Sequence, residues 1–205
     1  MDNERNRLIY RTWAPLYDAV MRPIYGAARR RSIALLELRP GESVLIPGVG
    51  TGLDLPLIPP GLQITGIDLT SQMLARAREK LQGREVKLCE MNAQALEFPD
   101  YCFDAVILNL ILSVVPDGAA AFREAWRVLR PGGRVVIFDK FLPEESTLSP
   151  LRRWLGSAIR LIGTDPNRRL SEILGSQMDL VIDCNEASLL GGQYRILLLH
   201  KRQEA

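Results

Sequence analysis

An α/β fold built on a doubly wound, mostly parallel sheet is what three features of this 205-residue sequence predict. Residues 44–53, VLIPGVGTGL, join an apolar strand end to a turn in which Gly48, Gly50 and Gly52 remove every second side chain, so a ligand can lie directly on the backbone. The next apolar strand, residues 62–69, ends in Asp68, twenty residues beyond Gly48, where doubly wound sheets hold ribose hydroxyls on a carboxylate. Residues 105–109 are almost unbroken apolar, the composition of a central strand covered on both faces. The glycine spacing is G-x-G-x-G: the position that would complete a dinucleotide fingerprint is Leu53, and no Gly-Lys-Ser/Thr follows to make a Walker loop.

A content of 47% hydrophobic and 24% charged residues suits one soluble domain over 1–205. The longest apolar run, 105–115, is interrupted by Asn109 and Ser113 and is too short to span a bilayer. The polar opening MDNERNR predicts neither signal peptide nor anchor. Cys89, Cys102 and Cys184 are odd in number and lack C-x-x-C pairing, which argues against a disulfide framework or zinc site and fits a reducing cytoplasm; the chain is expected to be a monomer. A net charge of +2 gives no reason to expect nucleic acid. Its distribution is uneven: residues 1–40 and 150–170 are each +4, against −4 for residues 41–149.

In chain order, residues 1–40 read as two or three short helices broken at Pro15 and Pro23, a cover carrying Tyr10, Trp13 and Tyr17. After the glycine turn, Thr70 is expected to cap a helix over 71–81 with Met73, Leu74 and Ala77 on one face. A third strand, 86–89, leads into Met91-Asn92-Ala93. Asp104 opens the fourth strand, 105–109, and Asn109 falls at its C-terminal tip, the edge outside which open α/β sheets bind ligands. An amphipathic helix over 119–129 is terminated by Pro131-Gly132-Gly133 before a fifth strand, 134–139. Residues 141–175 depart from this alternation. There Leu151, Trp154, Leu155, Ala158, Ile159 and Ile162 share one helical face, with Arg152, Arg153 and Arg160 elsewhere around it: a lid on the sheet or a face at a membrane. Strands over 178–184 and 194–200, joined through Gly191-Gly192, complete the chain, and His200 is read as an edge residue without a catalytic role. The domain thus divides into a cover (1–40), a cofactor half (41–140), a lid or substrate segment (141–176) and a C-terminal strand pair (177–205).

Four stretches, VLIPGVGTG, ITGIDLTSQMLARA, EMNAQALEFPDYCFDAVILN and REAWRVLRPGGRVVI, resemble those of class I S-adenosylmethionine-dependent methyltransferases in order and spacing over residues 44–137. The resemblance implies a seven-stranded sheet whose last strand is antiparallel, and S-adenosylmethionine as cofactor. It implies cofactor contacts at Gly48, Gly50, Gly52, Asp68, Leu69, Met73, Asn92, Ala93 and Asn109, with Asn92 accepting from the adenine amino group. The family usually has an acidic residue near the methionine part of the cofactor where this sequence has Ile46. The opening Tyr10-Arg-Thr-Trp13-Ala14-Pro15-Leu-Tyr17-Asp18 resembles the YxxWAPxYD start of bacterial phospholipid and quinone methyltransferases, which makes Tyr10 a cofactor residue and Tyr17 a catalytic and substrate residue that closes the site; Asn109 is the second catalytic candidate. GTGLDLPLIP and ILSVVPD resemble segments of bacterial phosphatidylethanolamine N-methyltransferases.

Methyl transfer from a sulfonium is an in-line displacement, so alignment and exclusion of water suffice and neither a triad nor a metal is called for. The acceptor these motifs imply is an ethanolamine phospholipid head group, its phosphate paired with Arg168 and Arg169 in the PNRR turn, reached peripherally at the inner face of an anionic membrane. C-methylation of a quinone precursor or another small molecule is the alternative; a domain that binds the cofactor without catalysis is the alternative of a different class.

Overall fold

A computed structural model describes residues 23–81, 83–144, 164–165 and 167–203. Tyr10, Tyr17 and the helix expected over 151–162 lie outside the described residues. Helix α1 occupies residues 23–35. Strands β1 (Ser43–Pro47), β2 (Gln63–Asp68), β3 (Val86–Glu90), β4 (Phe103–Asn109), β5 (Leu129–Lys140), β6 (Leu180–Leu189) and β7 (Tyr194–Lys201) form one sheet in the order β3-β2-β1-β4-β5-β7-β6. The first five are parallel, and β7 runs antiparallel to both β5 and β6. Strand order reverses at β1, which pairs with β2 on one side and β4 on the other, and the crevice at the carboxyl ends of those strands is where such sheets bind ligands.

Alternation along the strands divides the core in two. Val44, Ile46, Ile64, Ala105, Ile107, Val136 and Phe138 face α1 and helix α2 (Ser71–Arg78), meeting Ala28, Ile33, Leu36, Leu74 and Ala77. Leu45, Ile67, Val106, Leu108, Val135 and Ile137 face helix α3 (Gly118–Val128) and the short α4 (Leu170–Leu174), meeting Phe122, Trp126, Ile173 and Leu174.

Four elements differ from the sequence expectation. Helix α2 stops at Arg78, three residues early, and Thr70 gives it no side-chain cap, because its hydroxyl is bonded to Asp68 instead. Asp117 caps α3 by accepting from Ala120 N at 2.9 Å, and the helix starts at Gly118, one residue earlier than expected. Pro131-Gly132-Gly133 does not end α3: Leu129 is already extended and pairs with Phe103, and the Pro-Gly-Gly step is an irregularity within β5 before Arg134 pairs with Ala105. Finally, β6 begins at Leu180 and runs to Leu189, its polar edge held by Asp183 to His200 Nδ1 at 2.7 Å and by Asn185 to Arg195 Nε at 2.6 Å.

Candidate functional site

The carboxyl ends of β1, β2 and β4 open into one cavity, floored by the glycine turn. All three glycines have positive φ, but their surroundings differ. A Cβ on Gly48 would collide with the Ile111 side chain, and one on Gly52 would lie 2.9 Å from Leu55 Cδ1 and 3.0 Å from Ala77 Cα. At Gly50 the nearest atom would be Gly48 O at 3.8 Å, and Gly48 and Gly50 both line the cavity while Gly52 does not. Gly48 and Gly50 thus keep backbone on the cavity wall, whereas Gly52 makes room for the protein's own packing against α2.

Asp68, at the tip of β2, stands on the cavity wall with Leu69 beside it. Its carboxylate accepts from Gly50 N, Thr70 N and Thr70 Oγ1, each at 3.0 Å, which clamps the glycine turn to the second strand. Burial pushes its pKa above the ordinary carboxylate value, against the pull of those hydrogen bonds. Beyond Asp68 the wall is apolar: Met73 from α2, then Met91 and Ala93 after β3. Asn92 lies between them, but its Oδ1 accepts from Gln94 N and Gln94 Nε2, both at 3.0 Å. The amide oxygen expected to receive a ligand's amino group is therefore engaged in holding its own turn.

On the other side of Gly50 the wall carries Thr51, Asn109 and Arg29. Asn109 stands at the tip of β4 as expected, with its amide in a buried network: Nδ2 donates to Asp54 Oδ1 at 3.1 Å, and Oδ1 accepts from Ser32 Oγ at 3.1 Å. Asp54 Oδ2 pairs with Arg29 Nη1 at 2.7 Å, both side chains more than nine-tenths buried. Sequence reasoning missed this pair. Its signal lies in α1, where Arg29 shares the helical face of Ser32, Ile33 and Leu36, a charge on the buried stripe. Ile46, in the position usually acidic, is 1% exposed and belongs to the core.

Leu110, Ile111, Val114 and Val115, in the loop after β4, close the cavity. Arg168 braces this loop from behind, donating to the carbonyls of Leu112, Val115 and Pro116. Arg169 donates to Glu144 O, and Glu144 accepts from Ser171 N and Oγ, which holds the Glu144 carboxyl below its usual range. Neither arginine lines the cavity of the glycine turn; Arg168 borders a second one beside Asp117, Asp165 and Glu172. Asp139, wholly buried at the end of β5, accepts from Ser113 N at 3.0 Å and Lys140 N at 2.8 Å; burial raises its pKa and lowers that of Lys140. Among the described residues there is no cluster of His, Cys, Asp and Glu that fits a metal ion, and no helix long and apolar enough to cross a membrane.

Known proteins match this arrangement. The family model described as a methyltransferase domain covers residues 45–137. The chain is 34% identical to a phosphatidylethanolamine N-methyltransferase of Cereibacter sphaeroides, over 94% of this chain and 96% of that protein. It is 39% identical to a demethylmenaquinone methyltransferase of Thermus thermophilus, over 62% of this chain and 61% of that protein. Among solved structures, the YcgJ protein of Bacillus subtilis superposes with a TM-score of 0.71 at 23% identity, covering 88% of this chain and all of that one, which establishes the shared fold.

Proposed function

The chain belongs to the S-adenosylmethionine-dependent methyltransferases, and from that premise we propose that its acceptor is the amino head group of an ethanolamine phospholipid. The observation that carries this reading is the extent of the likeness to the Cereibacter enzyme. It spans 94% of the chain, well beyond residues 45–137, which the methyltransferase domain model matches. The quinone relative is more similar per residue but matches 62% of the chain.

The cavity's donor set fits the cofactor: an apolar end for a purine, a carboxylate for a ribose diol, bare backbone between strand and helix, and a polar end at Arg29 and Asn109. When bound, S-adenosylmethionine supplies an electrophilic methyl group on a sulfonium. The chain's own residues then align and enclose. Asp68 fixes the ribose, Met73 and Ala93 flank the purine, and Gly50 sets the depth at which the cofactor rests. Leu110, Ile111 and Val114 exclude water from the acceptor side, so an amine there meets a low-dielectric wall that favours its neutral, nucleophilic form. Orientation of this kind supplies roughly 7 to 11 kcal/mol of barrier lowering in favourable systems.

The test incubates the purified chain and labelled S-adenosylmethionine with phosphatidylethanolamine vesicles or with a demethylated quinone, then separates the lipid products. Label in mono- and dimethylated phospholipid is the expected result; label in the quinone alone would transfer the chain to the second reading, which the 39% identity of the quinone relative favours.

A further inference from the structure

We infer that Arg29, held in place by Asp54, receives the carboxylate of the cofactor's methionine, and so anchors the amino-acid arm in a chain whose usually acidic position is Ile46. This inference rests on the methyltransferase assignment and deepens it. Asp68 fixes the ribose beside Gly50, and the apolar end of the cavity at Met73, Met91 and Ala93 takes the purine. The amino-acid arm must then run the other way, toward Thr51, Asn109 and Arg29. Arg29 is the one Lys or Arg side chain on the cavity wall among the described residues. Ile46 contributes nothing polar, being 1% exposed in the core.

The construction around Arg29 is that of a binding group. Burying an ion pair is costly, and hydrophobic residues of the same volume often serve stability as well or better. Yet Arg29 Nη1 sits 2.7 Å from Asp54 Oδ2, Asp54 Oδ1 is 3.1 Å from Asn109 Nδ2, and Asn109 Oδ1 is 3.1 Å from Ser32 Oγ. Asp54 and Asn109 are thus positioning residues for a guanidinium. With five N–H donors in a planar fork, a guanidinium serves several acceptors at once and matches a carboxylate with two parallel bonds. Where an acidic residue would attract the ammonium group of the methionine, this chain reads the carboxylate with a cation from α1.

Calorimetry on the full chain with three probes tests this: S-adenosylmethionine, its decarboxylated form, which keeps the ammonium, and 5′-methylthioadenosine, which lacks the whole arm. Wild type should bind S-adenosylmethionine about tenfold to a hundredfold more tightly than the decarboxylated form, the worth of a charge-assisted contact. In Arg29→Gln/Asp54→Asn, which leaves no lone buried charge, that ratio should fall to within about threefold of unity while methylthioadenosine affinity changes by less than about threefold. Arg29→Lys is the second variant. It keeps the charge without the fork, and should reduce the ratio by at least about threefold. A wild-type ratio near one, an undiminished ratio in either folded variant, or equal weakening toward all three probes would overturn the inference and leave the methyltransferase assignment standing. If wild type binds none of the three, the cofactor assignment itself falls, and the role of Arg29 with it.

Discussion

Asp68 and the glycines around it separate what a residue does for the ligand from what it does for the fold. Two charge-assisted hydrogen bonds from a ribose diol make Asp68→Ala worth roughly 1.5 to 3 kcal/mol, about tenfold to a hundredfold in cofactor affinity by calorimetry. Because burial raises the Asp68 pKa, acidification should weaken cofactor binding earlier than an ordinary carboxylate would, and Asp68→Asn should flatten that acid limb. The same shift acts oppositely on the apo protein: a carboxylate with a raised folded-state pKa contributes stability below its unfolded pKa and loses it as pH rises through the folded one. Gly52→Ala and Gly50→Ala should part company as well. An alanine at 52 meets Leu55 Cδ1 at 2.9 Å and Ala77 Cα at 3.0 Å, so overpacking adds to the strain of a positive φ and the melting temperature falls sharply. At 50 the backbone strain alone costs about 1 to 2 kcal/mol. The new methyl meets nothing closer than Gly48 O at 3.8 Å, on the cavity wall, so the Gly50→Ala protein should fold and lose most of its cofactor affinity.

Between β3 and β4 the chain has little regular structure, yet it carries Asn92 and Ala93, and one side chain from α3 fastens it. Arg127 donates to Phe98 O at 2.9 Å, Leu96 O at 3.0 Å and Asp100 Oδ1 at 2.6 Å, while pairing with Glu124, whose Oε2 takes Leu96 N at 2.7 Å. Losing this fork in Arg127→Ala should cost about 1.5 to 3 kcal/mol in denaturant unfolding. The Arg127 bond holds the Glu124 pKa below its usual value, so the stabilisation is present at neutral pH and fades as pH falls through that lowered value; the penalty of Arg127→Ala should shrink accordingly in acid. How much of this was legible depended on range. Strands β1, β2 and β4 announced themselves through apolar runs ending in Gly48, Asp68 and Asn109, because local composition determines burial on both faces. Strand β6 was underread because an edge strand alternates polar residues such as Asp183 and Asn185, whose partners His200 and Arg195 belong to another strand. The Arg29–Asp54–Asn109 network was invisible for the same reason: no spacing rule joins residues 25 and 55 positions apart.

Across the whole molecule, charge and topology converge on the segment that follows Glu144. Its two ends are fixed beside the cavity: Leu142 N donates to Arg168 O at 2.9 Å, and Asp165 N donates to Ser113 O at 2.7 Å, in the loop that also contributes Ile111 and Val114 to the cavity wall. Residues 150–170 carry +4 and residues 1–40 another +4, against −4 for residues 41–149, so an anionic surface would attract both segments while repelling the cofactor half. Vesicle sedimentation checks this directly. Wild type should bind anionic vesicles at low salt, release them as the Debye length shrinks, and ignore neutral ones. Each basic residue near such a surface contributes about 1 kcal/mol, so Arg152→Glu/Arg153→Glu should weaken binding by at least about thirtyfold. Trp154→Ala should weaken it without changing the salt slope, since an indole at the head-group boundary acts through its apolar body. Equal binding by all three proteins would assign the apolar stripe of Leu151, Leu155 and Ile159 to the protein interior, and a phospholipid acceptor would then have to reach Leu110 and Val114 without help from the membrane surface.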